Sequence, residues 1–239
     1  MKIIATVPTY NEADNIVPLA NEILALGDAY HVLVVDDNSP DGTWRLVREM
    51  MAREPRVQLL HRTTDRGRGT AGLAGFIAAR DAGADAVVEM DADFSHHPRF
   101  IPSLVEPVLD GSADIVVGSR LVAGGGEQGR HVARTLITRA ANSYIALVLG
   151  LPLRDCTSGF RVFSRRALET IPWEQMTARG PEIVQEVLWE ARLAGLRFAE
   201  RPILFENRRA GQSTFNWRIA VRSLAYIPHL RLRGSVARR

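Results

Sequence analysis

What most constrains this chain is the regular alternation, through its first half, of short β-rich apolar runs with amphipathic stretches. Lys2 to Val7, Tyr30 to Val35, Val57 to Leu60, Ala86 to Met90 and Asp114 to Gly118 read as strands, and segments near 15–26, 42–53, 69–82 and 100–109 read as helices between them. Crossovers of this kind are right-handed and join parallel strands, so the helices cover both faces of a mostly parallel sheet. An α/β domain follows, and 239 residues suffice for one large domain with a substantial core.

Ligands of such sheets bind beyond the carboxyl ends of the strands. Four of the ends here carry polar clusters: Pro8-Thr9-Tyr10-Asn11-Glu12, Asp36 to Thr43, Asp91-Ala92-Asp93 and Gly118-Ser119-Arg120. Each has a bland local reading. Asn11 or Asp14 can cap the next helix, Asp41-Gly42-Thr43 can form a turn and cap, and Asp91 to Pro98 can be a solvated turn. Convergence on one edge adds a second reading. Asp36 and Asp37 directly follow Val32 to Val35, where an unpartnered carboxylate is costly, and a carboxylate there can accept hydrogen bonds from a nucleobase or ribose. Asp91 and Asp93, at the mouth of a buried strand, can hold a hard divalent cation together with a diphosphate.

A rival motif is Gly67-Arg68-Gly69-Thr70-Ala71-Gly72, which matches the G-x-G-x-x-G of dinucleotide-binding oxidoreductases and is followed by acids at Glu89 and Asp91. It follows the third strand, however, whereas that fingerprint opens the first βα turn, and its acid end is Asp-Ala-Asp rather than a lone ribose ligand. Asp65 and Arg68 then read as nucleotide contacts, with the glycines allowing close approach.

The second half abandons the alternation. Gly124-Gly125-Gly126 starts a loop expected to be mobile, and a helix from about Arg130 to Leu149 sets Arg134 and Thr138 on one face, where they can hold a phosphate. Arg139 lies farther round and reads as a solvated charge. Asp155-Cys156-Thr157-Ser158-Gly159-Phe160-Arg161 precedes a helix near 182–194, whose Glu186 passes for a surface charge, and a strand from Phe198 to Phe205. Cys156 is the only cysteine, so no internal disulfide forms and a reducing compartment is expected. Met1 to Val7 reads as a first strand rather than a signal peptide.

Charge is unevenly placed. Asn207 to Arg239 holds eight Arg and no acid, so of the overall +3 residues 1–206 carry a net −5. A basic tail on an acidic body points to an anionic partner. Within Trp217 to Leu232, Trp217, Val221 and Leu224 share one face and Arg218 and Arg222 another, which suits either a membrane surface or docking on the protein's own core. No nucleic-acid motif accompanies these arginines. No run approaches the length of a spanning helix; Ala140 to Leu153 comes nearest and is interrupted by Asn142 and Gly150.

Six motifs, in order, resemble the family-two glycosyltransferases of GT-A fold and, within them, the dolichol-phosphate or polyprenyl-phosphate mannose synthases. They are Pro8 to Glu12, Val35 to Thr43, Met90 to His96, Val117 to Arg120, Asp155 to Arg161, and Arg208-x-x-Gly211-x-Ser213, spanning about Ile4 to Thr214. The resemblance implies a GT-A (Rossmann-like), mostly parallel sheet with flanking helices over 1–214, and a basic amphipathic C-terminal helix within 215–239. It implies GDP-mannose as donor, bound by Pro8, Tyr10, Glu12, Val35, Asp37 and Ala92, with Asp65 and Arg68 at the nucleotide. Asp91 and Asp93 would bring Mg2+ or Mn2+ to the diphosphate, and Arg120, Arg134, Thr138, Arg208 and Ser213 would meet the acceptor phosphate. Asp91, Asp93 and Arg120 are the residues expected to carry catalysis. Ser95 stands where some members have a metal-binding Gln, and Thr214 where a Lys often stands, a basic contact that Arg209 can replace.

The implied acceptor is a polyprenyl monophosphate, already an oxyanion, so no catalytic base is required. A lipid acceptor sets the expected location as peripheral, on the cytoplasmic face of the membrane, and leaves room for a membrane-embedded protein partner. Rival readings are a glucosyltransferase using UDP-glucose on the same lipid, an inactive nucleotide-sugar-binding partner, and the NAD-dependent oxidoreductase suggested by Gly67 to Gly72.

Overall fold

Valine and isoleucine on both faces of a strand demand cover on both sides, and the amino-terminal half meets that demand with helices. The computed structural model describes residues 1–128, 132–206 and 217–234, and for 132–134 and 217–222 the backbone only. Strands β1 (Ile3–Thr9), β2 (Tyr30–Asp36), β3 (Val57–His61) and β4 (Ala86–Glu89) run parallel, joined by helices α1 (Ala13–Leu24), α2 (Thr43–Met51) and α3 (Arg68–Asp81). Helix α4 (Ile101–Leu109) leads to β5 (Ile115–Ser119). Alternate residues of β1 and β2 enter opposite cores: Ile4, Leu33 and Val35 pack with α3, while Ile3, Val7 and Val34 pack with α1 and α4.

The seven-stranded sheet has the order β3-β2-β1-β4-β7-β5-β8, with β7 (Arg161–Ser164) antiparallel to both neighbours and β8 (Phe198–Pro202) parallel to β5. The parallel framework agrees with the sequence reading; the reversed strand β7 was not anticipated. The expected strand from 198 to 205 is divided. Its second part, β9 (Leu204–Phe205), leaves the main sheet and pairs with β6 (Gly126–Glu127). The glycine run before β6 is therefore tied down where a mobile loop was expected: Gly125 N–H donates to Val122 O at 2.9 Å and Gly126 N–H to Ile203 O at 3.0 Å. A Cβ on Gly125 would lie 2.4 Å from Ser119 O, so only glycine allows this approach.

Helices α5 (Val132–Leu149), α6 (Arg165–Thr170), α7 (Ile183–Leu193) and α8 (Trp217–Arg233) complete the fold. Ile227 and Leu230 of α8 are fully buried with Ile145 of α5 and Leu188 of α7. Of the two readings of this segment, the described part docks on the protein's own core, while Leu232 remains exposed. Among the described residues no helix is long and apolar enough to cross a membrane.

Glu186 is a further correction: the expected surface charge is fully buried. Its helix packs against the sheet through Arg161, also fully buried, which opens β7 opposite Glu89 of β4. Arg161 Nε donates to Glu89 Oε2 at 2.8 Å, Nη2 bonds the same oxygen, and Nη1 donates to Val184 O of α7 at 3.1 Å. Removing one partner of a buried pair strands the other charge. Arg161→Met is expected to lower the unfolding free energy by about 3–5 kcal/mol in urea titrations. Adding Glu89→Leu is expected to recover most of that loss; no recovery would assign the loss to the Val184 contact instead.

Candidate active site at the carboxyl edge of the sheet

The ends of β1 and β2 are locked together by Asp36. Its buried carboxylate accepts from Thr9 Oγ1 at 2.8 Å, Ser39 N–H at 2.9 Å and Ser39 Oγ at 2.6 Å, a structural role distinct from that of the neighbouring Asp37, which is also buried. Asp37 accepts Gly67 N–H at 2.7 Å and faces Arg62 at 3.0 Å. The cap of α1 differs from the sequence reading, while Asp41-Gly42-Thr43 forms the expected turn and cap of α2. Neither Asn11 nor Asp14 caps α1; Asp41, from the β2–α2 loop, accepts Ala13 N–H at 3.0 Å and Thr43 N–H at 3.0 Å and serves both helices. Glu12 accepts from Asn15 Nδ2 at 2.8 Å.

Beside these loops lies a hollow of about 370 Å³ lined by Tyr10, Asn38, Trp44, Arg45 and Arg66 among others. Tyr10 is 55% exposed over it, and Trp44 is stacked on His61 with ring centroids 4.6 Å apart. Pro8 and Val35 lie in the strands that end at this hollow.

At the end of β4, Ala92, Asp93, Ser95 and His96 are buried and Asp91 is half-buried. Asp91 Oδ1 pairs with Arg68 Nη2 at 2.5 Å, and Asp93 Oδ1 accepts Ser95 N–H at 3.0 Å. His96 stacks on Phe160 at 5.1 Å; burial pushes its pKa down against the pull of Asp91 and Asp93, and Nδ1 accepts Asp91 N–H at 3.4 Å. Gly159 closes the other side, where a Cβ would lie 2.9 Å from Arg68 Nη2.

Among the described residues no group of three or more His, Cys, Asp or Glu side chains is set to enclose a metal ion. The oxygen atoms gathered at this strand end are the Asp91 and Asp93 carboxylates and Ser95 Oγ, the last buried without a hydrogen-bond partner, and oxygen is the donor type that hard cations take. Solvent or ligand oxygens would have to complete such a shell.

The glycine motif serves backbone packing. Gly67 N–H is taken by Asp37, and a Cβ on Gly69 would lie 2.6 Å from Arg179 O, so that glycine admits a protein backbone. Asp65, with φ of 51°, pairs with Arg179 at 2.9 Å.

Arg120 is brought to the same edge but is committed to protein carboxylates. Nε donates to Asp155 Oδ2 at 2.7 Å, Nη2 to Asp155 Oδ1 and Thr157 Oγ1 at 2.7 Å each, and Nη1 faces Glu127 at 3.2 Å. Desolvation lowers the Arg120 pKa, but its bonds to Asp155 outweigh that and hold it above the ordinary value. Sequence reasoning missed these partners, although Asp155 opens a motif it had singled out. Thr138 on α5 stands one turn from Asn142, whose Nδ2 donates to Thr138 O at 2.9 Å and whose Oδ1 accepts Cys156 N–H at 2.6 Å. The Arg134 side chain, and Arg208, Arg209, Ser213 and Thr214 entirely, lie outside the described residues.

The same overall architecture is found in glucosyl-3-phosphoglycerate synthase from Mycobacterium tuberculosis. That enzyme, solved with Mn2+, UDP and glucosyl-3-phosphoglycerate, superposes with a TM-score of 0.69 at 22% identity, covering 98% of this chain and 81% of that one. The fold is thus the GT-A glycosyltransferase fold. The chain itself belongs to glycosyl transferase family 2, whose family model matches residues 5–172.

Among relatives, the polyprenol monophosphomannose synthase of Mycolicibacterium smegmatis is 37% identical over 89% of this chain and 80% of its own length. The undecaprenyl-phosphate mannosyltransferase of Micrococcus luteus is 37% identical over 89% and 87%. The dolichol-phosphate mannosyltransferase of Pyrococcus furiosus is 33% identical over 96% of this chain, which spans 64% of that relative.

Cys156 stands in the wall of this site, fully buried, and burial pushes its thiol up to about 12. A protonated, enclosed thiol does not attack alkylating agents. Iodoacetamide at pH 8 is expected to leave the folded protein unmodified and to label it fully in urea, as read by intact mass; prompt labelling of folded protein would place the thiol at the surface.

Proposed function

We propose that this protein transfers mannose from GDP-mannose to a polyprenyl monophosphate, with inversion at the anomeric carbon. The observation that carries the reading is the 37% identity, across 89% of the chain, to two relatives both named for mannosyl transfer to a polyprenyl acceptor. An acceptor phosphate oxygen attacks the anomeric carbon, the bond from that carbon to the GDP oxygen breaks, and GDP leaves with the electron pair.

The acceptor phosphate carries roughly −1.5 to −2 at neutral pH, by analogy with phosphorylated side chains, and needs no general base. The chain's task is to bring two anions together and hold them in line. In this reading Pro8, Tyr10, Glu12, Val35, Asp37 and Asp65 hold the nucleotide beside the 370 Å³ hollow, and Arg68 reaches the diphosphate. Mg2+ or Mn2+, held by Asp91 and Asp93 with Ser95 as a neutral oxygen donor, would neutralise the departing diphosphate. Arg120, Arg134, Thr138, Arg208 and Ser213 receive the acceptor phosphate. At Arg120 that phosphate competes with Glu127, 3.2 Å from Nη1.

A membrane-borne acceptor also accounts for the outer face of α5. Leu136, Ile137, Tyr144 and Leu147 are 58, 70, 38 and 83% exposed there, and neither α5 nor α8 contains an acid. Apolar side chains beside arginines suit the headgroup boundary of an anionic membrane, so the protein is proposed to work peripherally on the cytoplasmic face.

Titration with GDP-mannose and UDP-glucose, each with Mn2+ and a short-chain polyprenyl phosphate, tests the donor. Mannosyl lipid from GDP-mannose alone is expected. Glucosyl lipid would replace the sugar, metal-dependent GDP binding without product would leave an inactive binding protein, and NAD binding would revive the oxidoreductase. Asp93→Ala is expected to reduce transfer by about a thousandfold or more, as for loss of a dominant electrostatic contact; turnover near wild type at saturating metal would remove Asp93 from the site. Full-length protein is expected to co-sediment with anionic vesicles in low salt, and the Leu136→Ser, Ile137→Ser, Leu147→Ser triple variant to remain in solution. Equal sedimentation of the two would sink the docking surface.

A further inference from the structure

Glu186 is a fully buried carboxylate that the chemistry above does not use. It accepts Thr177 N–H at 3.1 Å, Ala178 N–H at 2.6 Å and the Thr177 hydroxyl at 2.9 Å, so its charge is spent on two successive residues of the loop preceding α7. The next residue of that loop, Arg179, joins the candidate donor subsite. Its side chain pairs with Asp65 at 2.9 Å, and its carbonyl fills the space that a Cβ on Gly69 would occupy, 2.6 Å away.

Gly67 caps α3, and Arg68 and Gly69 open its first turn, beside the nucleotide candidates Asp37 and Asp65. Gly67 N–H binds Asp37, and Arg68 reaches Asp91. The loop held by Glu186 is pressed against this first turn, where only a glycine at 69 leaves room for the Arg179 carbonyl.

A counter-charge enters from the far side. Arg233, at the end of α8, donates from Nη2 to Glu186 Oε1 at 2.7 Å and from Nη1 to Thr177 Oγ1 at 2.5 Å, with its side chain 5% exposed. Tyr226 OH lies 3.0 Å from the same hydroxyl. Helix α8 thus completes the clamp that holds the loop.

We propose that Glu186 is a positioning residue for the donor subsite, clamped by Arg233, so that nucleotide binding depends on how α8 is seated. The proposal rests on the nucleotide reading of Asp37, Asp65 and Arg68 given above. Seating or lifting α8 shifts the loop, the loop shifts the Gly67–Gly69 turn, and the turn shifts the donor contacts.

The test uses full-length protein, with GDP and Mn2+ affinity measured by calorimetry and amide exchange followed by mass spectrometry. Glu186→Gln keeps the shape and removes the charge, Arg233→Met removes the clamp, and Thr177→Val is a milder change should either fail to fold. Each is expected to weaken GDP binding about tenfold, within the usual range of coupling between sites, and to speed exchange over both 176–182 and 64–70. Ile23→Ala, a cavity at the end of α1 in the core on the other face of the sheet, is expected to lower the melting temperature while leaving GDP affinity and the 64–70 exchange unchanged. Wild-type affinity and wild-type exchange at 64–70 in Glu186→Gln would overturn the proposal. So would equal effects from Ile23→Ala, which would reduce it to general packing. If wild-type protein binds no GDP while Glu186→Gln still loosens 64–70, the coupling stands and the nucleotide reading falls.

Discussion

The fold depends on a charge pair at the point where its sheet breaks its own rule. A parallel sheet gains a reversed central strand at β7, and the first residue of that strand, Arg161, meets Glu89 at the last position of β4. Reversal has a spatial result. Because β7 runs against its neighbours, its beginning lies at the edge where the others end, so Asp155 to Phe160 arrive at the candidate site instead of the opposite edge. Arg161 also bonds Val184 O, which carries α7 to the same edge. One guanidinium therefore orients a strand, a loop and a helix.

Around it, the site is built from aspartates that already have arginine partners: Asp37 with Arg62, Asp91 with Arg68, and Asp155 with Arg120. Buried or half-buried ions in such pairs recover only part of their desolvation cost, and the geometry fixes which oxygen faces which donor. Asp36 is the contrast, with its carboxylate taken up by Thr9 and Ser39. Adjacent acids of identical chemistry are thereby given different partners, an arginine for Asp37 and neutral donors for Asp36.

Much of this was legible in the chain. The alternation located β1 to β5 and α1 to α4 within a few residues, because each run is long enough to show its period and is bounded by turn residues. The convergence of polar strand ends on one edge followed from parallelism. What escaped notice is tertiary. The strand β7 has four residues, opens with an arginine and reads as the tail of a polar motif. Glu186 has the ordinary spacing of a surface helix charge, and nothing local announces that Thr177, Ala178 and Arg233 will surround it. Likewise the glycines of 67–72 read as allowing close approach of a nucleotide, whereas Gly69 admits a carbonyl 110 positions farther along the chain, at Arg179.

Those long separations bear on how the molecule is made. Arg179 and Asp65 are 114 residues apart, and Arg233 lies 56 beyond Thr177. During synthesis the chain emerges from its amino terminus, so β1 to β4 and their acids leave the ribosome well before the loop and helix that press on them. The first turn of α3 is consequently among the last parts to gain its tertiary contacts. A nascent chain halted short of α8 would carry a nearly whole sheet and still lack the contacts that hold that turn, which separates acquiring a core from acquiring competence.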